Sequence, residues 1–152
     1  MYRILVVCAG NICRSPLAEG ILRKRAQEVG LSVFVDSAGT GSWHAGDPPD
    51  PRAIAAGRVH GIEIGDQRAR KIRAEDFDKF DQILAMDEQN LVDVLARRPA
   101  GVMTPVNLIT DFRKTPGPTD IPDPYYSSKF EPVIAMLEDC IAGLLDQRIA
   151  AQ

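Results

Sequence analysis

The sequence is poor in cysteine and has no long apolar run. Its three cysteines are an odd number, so they do not form a disulfide scaffold, and they indicate a reducing compartment such as the cytoplasm. No segment approaches the roughly 18 consecutive apolar residues that a membrane-spanning helix needs. The N-terminal apolar segment is short and runs directly into polar residues, which is not typical of a signal peptide. These absences predict a cytoplasmic protein with no membrane partner.

The chain also has no excess of positive charge. Its formal net charge of −3 at pH 7 argues against a general nucleic-acid surface, so any site for a phosphate group must be local. The sequence contains no internal repeat, no low-complexity tract and no linker between domains. Its 152 residues therefore predict a single domain over 1–152.

Short apolar runs alternate with helical segments along the chain, which predicts an α/β fold. Strands are predicted at 4–7, 31–35, 82–85 and 102–106, and helices at about 15–30, 51–60, 87–95 and along the C-terminal segment. Ser15 is predicted to cap the first of these helices, with Pro16 at its first position. Right-handed βαβ units built from these elements give three layers, in which helices flank a central parallel sheet of four strands.

The C-terminal helix carries the clearest pattern. Its apolar residues follow the i, i+3, i+4 spacing of one buried helical face, and they are Val133, Met136, Leu137, Cys140, Ile141, Leu144 and Leu145. Ser128 and Glu131 have the spacing of a capping box, which predicts where the helix begins. Cys140 belongs to the apolar face, so it is predicted to pack in the core.

The first predicted strand leads into the segment Cys8-Ala9-Gly10-Asn11-Ile12-Cys13-Arg14-Ser15-Pro16, and a helix follows. A small-residue loop between a strand and a helix N-terminus directs several backbone N–H groups at one point, which favours binding of an anion. Gly10 allows close approach of the backbone, and Asn11 tolerates a positive φ angle. This phosphate loop, at the carboxyl end of the first strand, is the predicted site.

Cys8 and Arg14 stand at the two ends of that loop. Backbone N–H groups, the helix dipole and the Arg14 guanidinium all favour the thiolate form of Cys8, which is the nucleophilic form. The planar guanidinium can hold two oxygens of a phosphate dianion while the thiolate attacks phosphorus. The ring of donors also matches the charge spread over three equatorial oxygens in the transition state. The loop therefore predicts covalent catalysis on a phosphate-like oxyanion.

A leaving alkoxide or phenolate needs a proton donor, and histidine is scarce here. Only His44 and His60 are present, and a histidine is more often a structural or surface residue than a catalytic one. Asp123 lies between two prolines and beside two tyrosines, so it is a candidate general acid. The same residue also fits an ordinary turn, and the residues alone leave both roles open. The role of Cys13 is equally open, since this residue is either an ordinary loop residue or a disulfide partner of Cys8 under oxidation.

Taken together, these motifs resemble the low-molecular-weight protein tyrosine phosphatases, in a bacterial form. The matching segments are 7–16, Asp36-Ser37-Ala38-Gly39-Thr40, Pro48-Pro49-Asp50 with Arg52, His60-Gly61-Ile62, Met86-Asp87 with Asn90, and Asp123-Pro124-Tyr125-Tyr126. They extend from the first strand to the final helix in the family's order. The pairing of the phosphate loop with the distant Asp-Pro-Tyr-Tyr segment is highly specific.

The resemblance implies a phosphotyrosine phosphatase that needs no metal and no cofactor. Cys8 matches the nucleophile that forms a phosphocysteine intermediate, and Arg14 matches the arginine that holds the phosphate. Asp123 matches the general acid, which then acts as a base on the hydrolytic water. Cys13 matches a second loop cysteine that is a reversible oxidation partner of the first.

The resemblance also implies roles around the substrate. The implied substrate-binding residues are Ala9, Gly10, Asn11, Ile12, Cys13, Ser15, Trp43 and Tyr125, of which the last two flank the phenyl ring. Asn11 and Ser15 hold the loop shape and hydrogen-bond the thiolate. Ser37 and His60 support the loop from behind, and His60 is expected to be a buried histidine that contacts Asn11. The expected partner is a tyrosine-phosphorylated protein, by analogy a bacterial tyrosine kinase, and the expected state is a monomer or a weak self-associate.

Two alternatives remain open. A thioredoxin-coupled arsenate reductase shares the loop on the same fold, but it needs further cysteines to relay a disulfide, and Cys140 is the only other one here. A non-catalytic phosphotyrosine-binding module would bind through the loop without cleaving, and it would have no use for Cys8, Arg14 and Asp123 together. A nucleotide-binding loop is disfavoured, because the chain has no Gly-x4-Gly-Lys-Ser/Thr segment.

Overall fold

The computed structural model describes residues 1–152 and has four parallel strands in one sheet. The strands are β1 (Tyr2–Cys8), β2 (Val33–Gly39), β3 (Gln82–Ala85) and β4 (Val106–Leu108), and their order in the sheet is β2-β1-β3-β4. The helices are α1 (Arg14–Glu28), α2 (Pro51–Val59), α3 (Asp76–Lys79), α4 (Glu88–Arg97), α5 (Pro124–Ser127) and α6 (Phe130–Ala150), with a 3-10 helix at Ile109–Phe112. The predicted α/β fold with a central four-stranded parallel sheet is confirmed.

Helices cover the sheet on both faces, because alternate residues of each strand point to opposite sides. Ile4 and Val6 of β1 belong to a larger apolar core with residues of α1 and α6. Leu5 and Val7 belong to a smaller core with residues of α3 and α4. Continuous apolar strands of this kind are typical of parallel sheets that are buried on both faces. The three predicted layers follow from this packing.

Three strands differ in extent from the sequence prediction, and the first of them, β1, extends beyond the predicted 4–7 at both ends. β2 continues past the predicted end at Val35 as far as Gly39, because its whole length pairs with β1. β4 begins where the prediction over 102–106 ends, because only its three residues pair with β3. The helix α3 and the 3-10 helix are each four residues long, which is too short for an apolar periodicity to predict them.

The predicted cap of α1 is wrong. The helix begins at Arg14 with Cys13 as its N-cap, so Ser15 and Pro16 are its second and third residues. The Ser15 hydroxyl oxygen lies 3.0 Å from Cys8 Sγ, and no side chain caps the helix. The phosphate loop therefore uses the hydroxyl that the sequence predicts as a helix cap.

The C-terminal helix α6 has the predicted buried face. Six of its seven predicted residues are buried, Cys140 among them, and Met136 is partly buried against the same core. The predicted capping box of Ser128 and Glu131 is wrong, because Ser128 ends α5 in a left-handed conformation with a φ angle of 59° and Lys129 is the N-cap of α6. Neither α6 nor any other helix is long and apolar enough to cross a membrane.

The strand order places the phosphate loop at a switch point of the sheet. β2 lies on one side of β1 and β3 lies on the other, so the connections leave β1 in opposite directions. In open parallel sheets, ligands bind beyond the carboxyl ends of the strands at such a position. Cys8 is the last residue of β1, and Asp87 follows β3 by two residues, so both reach the same edge.

Candidate active site

The loop between β1 and α1 is held in a tight curve by its neighbours. The Cys8 and Ala9 carbonyls accept hydrogen bonds from the Thr40 and Gly41 backbone N–H groups at 2.9 and 3.0 Å. Asn11 has a positive φ angle of 57°, which asparagine tolerates better than most residues. The backbone can therefore turn back on itself and bring the start of α1 next to the sulfur of Cys8.

Hydrogen-bond donors converge on the Cys8 sulfur. Its Sγ lies 3.0 Å from Ser15 Oγ and accepts a hydrogen bond from the Asn11 backbone N–H at 3.3 Å. The Asn11 side-chain amide donates to the same Ser15 oxygen at 2.8 Å. Because that oxygen already accepts a hydrogen bond, its own hydrogen is free to point at Cys8. A thiolate at this position would accept both donors.

Asn11 is itself held from two further directions. Its side-chain amide donates to Ser37 Oγ at 3.0 Å, and its Oδ1 accepts a hydrogen bond from the Arg70 backbone N–H at 3.0 Å. The prediction that a buried His60 supports Asn11 is wrong, because His60 is on the surface and its Nε2 lies 2.6 Å from Glu131 Oε2. A backbone N–H group from the segment before α3 takes the place expected for a histidine.

The Arg70 side chain is anchored by two carboxylates. It donates to Asp36 Oδ2 at 3.0 Å and to the two carboxylate oxygens of Asp76 at 3.0 and 3.1 Å. Burial alone would lower the pKa of Arg70, but Asp76 and Asp36 raise it above its usual range. Asp76 is fully buried, and a buried carboxylate without a partner is costly, so this pairing is strongly held. The backbone N–H that supports Asn11 is thereby fixed in place.

A buried carboxylate lies behind Ser37. Glu19 accepts a hydrogen bond from the Arg23 guanidinium, and the nearby Ser37 hydroxyl also favours its carboxylate form. Burial raises the pKa of the Glu19 carboxyl, and the two donors offset only part of this effect. Ser37, which accepts a hydrogen bond from the Asn11 side-chain amide, thus lies between this carboxylate and the phosphate loop.

The Arg14 guanidinium is buried and held by groups from distant parts of the chain. Its Nη1 donates to Asp87 Oδ2 at 2.7 Å and to the Ile121 carbonyl oxygen at 2.9 Å. Burial alone would lower the pKa of Arg14, but the Cys8 sulfur and the Asp87 carboxylate raise it above its usual value, so the side chain is charged. These two hydrogen bonds use Nη1 only, which leaves Nε and Nη2 available to an oxyanion.

Asp123 meets the phosphate loop from the far end of the chain. It is the N-cap of α5, and its Oδ1 accepts a hydrogen bond from the Tyr125 backbone N–H at 3.1 Å. Its Oδ2 lies 3.8 Å from Arg14 Nη2, and 46% of the side chain is exposed. One carboxylate oxygen is thus used for structure, and the other faces the loop.

The loop and α5 border a cavity of about 320 Å³. Its lining residues are Cys8, Ala9, Gly10, Ile12, Cys13, Arg14, Trp43, His44, Asp123, Tyr125 and Tyr126. Asn11 and Ser15, predicted among the substrate-binding residues, do not line the cavity and instead support the loop from behind, where Ser37 also lies as predicted. No group of three or more His, Cys, Asp or Glu side chains is placed to hold a metal ion.

Aromatic side chains form the rim of this cavity. The Trp43 ring lies directly over Gly41, where any side chain would occupy the space of the ring. The Tyr125 and Tyr126 rings meet edge to face with their centroids 4.9 Å apart. Trp43 and Tyr126 are mostly exposed to solvent although they line the cavity. The rim therefore offers apolar surface to the part of a ligand that extends beyond the loop.

The other two cysteines are held in the thiol form. Burial, followed by the charge of Asp50, raises the pKa of Cys13 to about 12. Burial raises the pKa of Cys140 to about 11. Cys13 lines the cavity together with Cys8, whereas Cys140 lies on the buried face of α6 and does not reach the cavity.

Two residues that hold the site were not identified as such by the sequence. The sequence predicts Asp87 as a helix cap, which it is, since its Oδ1 accepts a hydrogen bond from the Asn90 backbone N–H at 2.7 Å. Its Oδ2 accepts a hydrogen bond from Arg14. The sequence feature that could have indicated this second role is the position of Asp87 just after β3, a strand that pairs with β1. The sequence gives no comparable indication for Arg70, because it supports Asn11 through its backbone N–H, which every residue except proline has.

Comparison with known proteins agrees with this geometry. The profile of the family described as low molecular weight phosphotyrosine protein phosphatase matches residues 3–152. The Synechocystis protein slr0328 is 44% identical over 148 residues, which cover 94% of each chain. YfkJ of Bacillus subtilis, a low molecular weight protein-tyrosine-phosphatase, is 37% identical over 147 residues, 95% of this chain and 94% of YfkJ. A crystal structure of a protein tyrosine phosphatase from Entamoeba histolytica superposes with a TM-score of 0.94 at 37% identity and covers 99% of both chains. The chain therefore belongs to the low molecular weight phosphotyrosine protein phosphatase family.

Proposed function

We propose that this protein removes phosphate from phosphotyrosine in proteins, and from small aryl phosphates, through a phosphocysteine intermediate on Cys8. One observation carries the proposal. Cys8, Arg14 and Asp123 line the same cavity of about 320 Å³, although Asp123 is far from the other two in sequence. A nucleophile, a cation and a proton donor that face one space are the groups that phosphoryl transfer through a covalent intermediate requires.

In the first step, Cys8 Sγ attacks phosphorus. The backbone N–H groups of the loop and the Arg14 guanidinium bind the three equatorial oxygens and stabilise the charge of the transition state. The bond between phosphorus and the phenolic oxygen breaks as the sulfur–phosphorus bond forms. Asp123 gives its proton to the leaving oxygen, so the step yields phosphocysteine, a neutral phenol and a carboxylate.

In the second step, water releases the phosphate. The Asp123 carboxylate accepts a proton from water while the water oxygen attacks phosphorus, and the sulfur–phosphorus bond breaks. The products are inorganic phosphate, the Cys8 thiolate and protonated Asp123, which is ready for the next cycle. The 46% exposure of the Asp123 side chain gives water access to this carboxyl group.

The rim of the cavity supports an aryl substrate. Trp43 and Tyr125 provide apolar ring surface next to the loop, and a phenyl ring between them would place its phosphate among the loop N–H groups. The side chain of phosphoserine is shorter and has no ring, so it would forgo these contacts. We expect phosphotyrosine peptides to be hydrolysed with a much higher kcat/KM than the matching phosphoserine peptides.

The test is to trap the intermediate. Rapid mixing with p-nitrophenyl phosphate, followed by an acid quench and peptide mass spectrometry, should find one phosphoryl group on the peptide that contains Cys8. The C8S variant should form no such adduct and show no turnover, yet still bind inorganic phosphate in calorimetry, because the loop donors remain. Turnover by C8S close to that of the wild type would overturn the mechanism.

The two alternatives give different results in the same assays. Cys140, the only further cysteine, is buried in the core away from the cavity, which does not support a disulfide relay. Steady arsenate turnover with thioredoxin that exceeds aryl phosphate hydrolysis would nevertheless identify an arsenate reductase. Tight binding of phosphotyrosine peptide without any release of phosphate would identify a binding module.

We propose that Cys13 protects Cys8 from irreversible oxidation by forming a disulfide with it. Peroxide converts the Cys8 thiolate to a sulfenic acid, and the Cys13 thiol then displaces water to form a disulfide. Both cysteines line the cavity, and the raised pKa of Cys13 keeps its own thiol unreactive toward peroxide. After peroxide treatment, thiol reductant should restore activity to the wild type and fail to restore it to C13S. Equal recovery of both proteins would contradict this role.

The natural substrate is proposed to be a tyrosine-phosphorylated protein such as a bacterial tyrosine kinase. A C8S variant that binds without cleaving should retain the substrate from a cell extract, and phenyl phosphate should release it. Catalysis by a free thiolate requires a reducing compartment, so a cytoplasmic location is proposed. We further propose that residues 1–152 act as one catalytic domain, as a monomer or a weak self-associate, which sedimentation analysis will test.

A further inference from the structure

The short helix α5 carries the proposed acid but is not stable by itself. It has only four residues, and a helix of one turn gains too little from its own hydrogen bonds to persist alone. Pro124 is its only buried residue. Contacts from another part of the chain must therefore hold the helix, and with it Asp123, above the phosphate loop.

Arg52 of α2 provides these contacts. Its Nη2 donates to the Tyr125 carbonyl oxygen at 2.9 Å, and its Nη1 donates to Ser128 Oγ at 2.7 Å. Its guanidinium also lies 5.6 Å from the centroid of the Tyr125 ring and 5.3 Å from that of Phe130. A cation at a helix C-terminus satisfies carbonyl groups that have no partner within the helix. Arg52 therefore closes the end of α5 opposite to the end that Asp123 caps.

Asp50 connects this arginine to the phosphate loop. Its carboxylate binds Arg52 through two hydrogen bonds, from Nη2 at 2.8 Å and from Nε at 3.1 Å. The hydrogen bonds from Arg52 lower the pKa of Asp50, so the pair is charged. The Asp50 backbone N–H donates to the Ile12 carbonyl oxygen at 2.9 Å, within the loop itself. Two residues thus link the loop that carries Cys8 to the helix that carries Asp123.

Arg52 has no direct access to the substrate. It is not among the residues that line the cavity, and all of its hydrogen bonds go to Asp50, Tyr125 and Ser128. Its effect on the reaction must then pass through the groups that it holds. Those groups are Asp123, which is the N-cap of α5, and the ring of Tyr125.

We propose that Arg52, anchored by Asp50, is a positioning residue that sets the distance between the nucleophile loop and the general acid. The inference rests on the proposed function, because it assumes that Asp123 donates a proton to the leaving group. The consequence is specific. Loss of Arg52 should impair protonation of the leaving group and leave phosphate binding by the loop intact.

The experiment compares R52M with R58M. Arg58 is an exposed arginine of the same helix that pairs with Glu63 through two hydrogen bonds, so its replacement removes the same charge and the same kind of ion pair. For R52M, kcat/KM on phenyl phosphate should fall roughly tenfold, and on p-nitrophenyl phosphate, whose leaving group needs less protonation, less than about threefold. R58M should match the wild type on both substrates.

A double-mutant cycle shows whether Arg52 acts through Asp123. In a D123N background, R52M should lower kcat/KM on phenyl phosphate by less than about twofold, because the proton donor is already absent. The competitive inhibition constant of inorganic phosphate should stay within about twofold of the wild type in R52M, since the loop donors are unchanged. If R52M does not fold, R52K keeps the charge but cannot hold Asp50, Tyr125 and Ser128 together, and it replaces R52M in the same assays.

Several outcomes would overturn the inference. They are an equal loss on both substrates, a full additional loss in the D123N background, the same effect in R58M, or no effect of R52M at all. Failure of the proposed function would look different, because the wild-type protein would then hydrolyse neither aryl phosphate. A wild type that hydrolyses both substrates, beside an R52M variant without the selective loss, rejects the positioning role alone.

Discussion

Arg14 Nη1 donates a hydrogen bond of 2.7 Å to Asp87 Oδ2 across the edge of the sheet where β1 and β3 end. The two residues are separated by 73 positions in sequence. Their meeting holds the guanidinium through Nη1, so Nε and Nη2 of this cavity-lining residue stay available to an oxyanion. The strand order thereby determines how Arg14, the arginine proposed to bind phosphate, is presented to the cavity.

We expect D87N to reduce turnover through Arg14. The exchange keeps an N-cap residue for α4, because asparagine caps helices as well as aspartate does, but it removes the charge that holds Arg14. A hydrogen bond to a charged group contributes roughly 1.5–3 kcal/mol, so kcat/KM on p-nitrophenyl phosphate should fall about tenfold to a hundredfold. The matched control is D93N, an aspartate of the same helix whose carboxylate accepts a hydrogen bond from the Gln89 side chain, and this variant should leave kcat/KM unchanged. Full activity of D87N would contradict a role for this ion pair.

D123N should affect substrates according to their leaving group. Asparagine can still accept the Tyr125 N–H, so α5 keeps its N-cap, but it has no proton to give. We expect kcat/KM on phenyl phosphate to fall about a hundredfold or more, and on p-nitrophenyl phosphate much less. D120N, three residues away, should match the wild type. Equal losses on the two substrates would remove Asp123 as the general acid.

Iodoacetamide should modify one cysteine at pH 7. The pKa values of Cys13 and Cys140 are raised to about 12 and about 11, so both remain thiols far above neutral pH. Alkylation requires the thiolate, and the donors that converge on Cys8 make it the candidate. Peptide mass spectrometry should find the label on Cys8, with inorganic phosphate slowing the reaction. Faster labelling of Cys13 than of Cys8 would refute this assignment of the reactive thiol.

Glu19 should make stability depend on pH. Burial raises the pKa of its carboxyl above the ordinary 4.5, so the folded state holds this proton more tightly than the unfolded state does. The stabilisation is therefore fully present below pH 4.5 and is lost as pH rises through the raised pKa. Urea unfolding across this range should show the free energy of unfolding of the wild type falling relative to that of E19Q. A difference between the two proteins that stays constant with pH, or that moves the other way, would contradict the burial of an ionisable group here.

Much of the site follows from residues that are neighbours in sequence. The apolar run before Cys8, the small residues after it and the helix that follows make a strand, a loop and a helix start, and local chemistry alone predicts these. The positive φ angle of Asn11 belongs to the same local pattern. The C-terminal helix is predictable for a similar reason, because its buried face repeats along one continuous segment.

The wrong predictions concern side chains whose partner lies elsewhere in the chain. Ser15 fits a helix cap by its position, yet its hydroxyl lies beside Cys8. His60 fits a buried support of Asn11 by its motif, yet it lies on the surface beside Glu131. Local sequence shows which side chains can form a hydrogen bond, but not which of several partners the fold brings near.

Sequence patterns were sufficient to indicate the proposed nucleophile, its loop and a distant candidate acid, because each is a property of a short segment. Tertiary structure alone decides that Asp87 holds Arg14, that the Arg70 backbone holds Asn11, and that Arg52 holds the helix that Asp123 caps. These partners are joined by the order of the strands and by the packing of helices on the sheet. Contacts between residues 59 to 73 positions apart depend on that packing, and no local pattern encodes them.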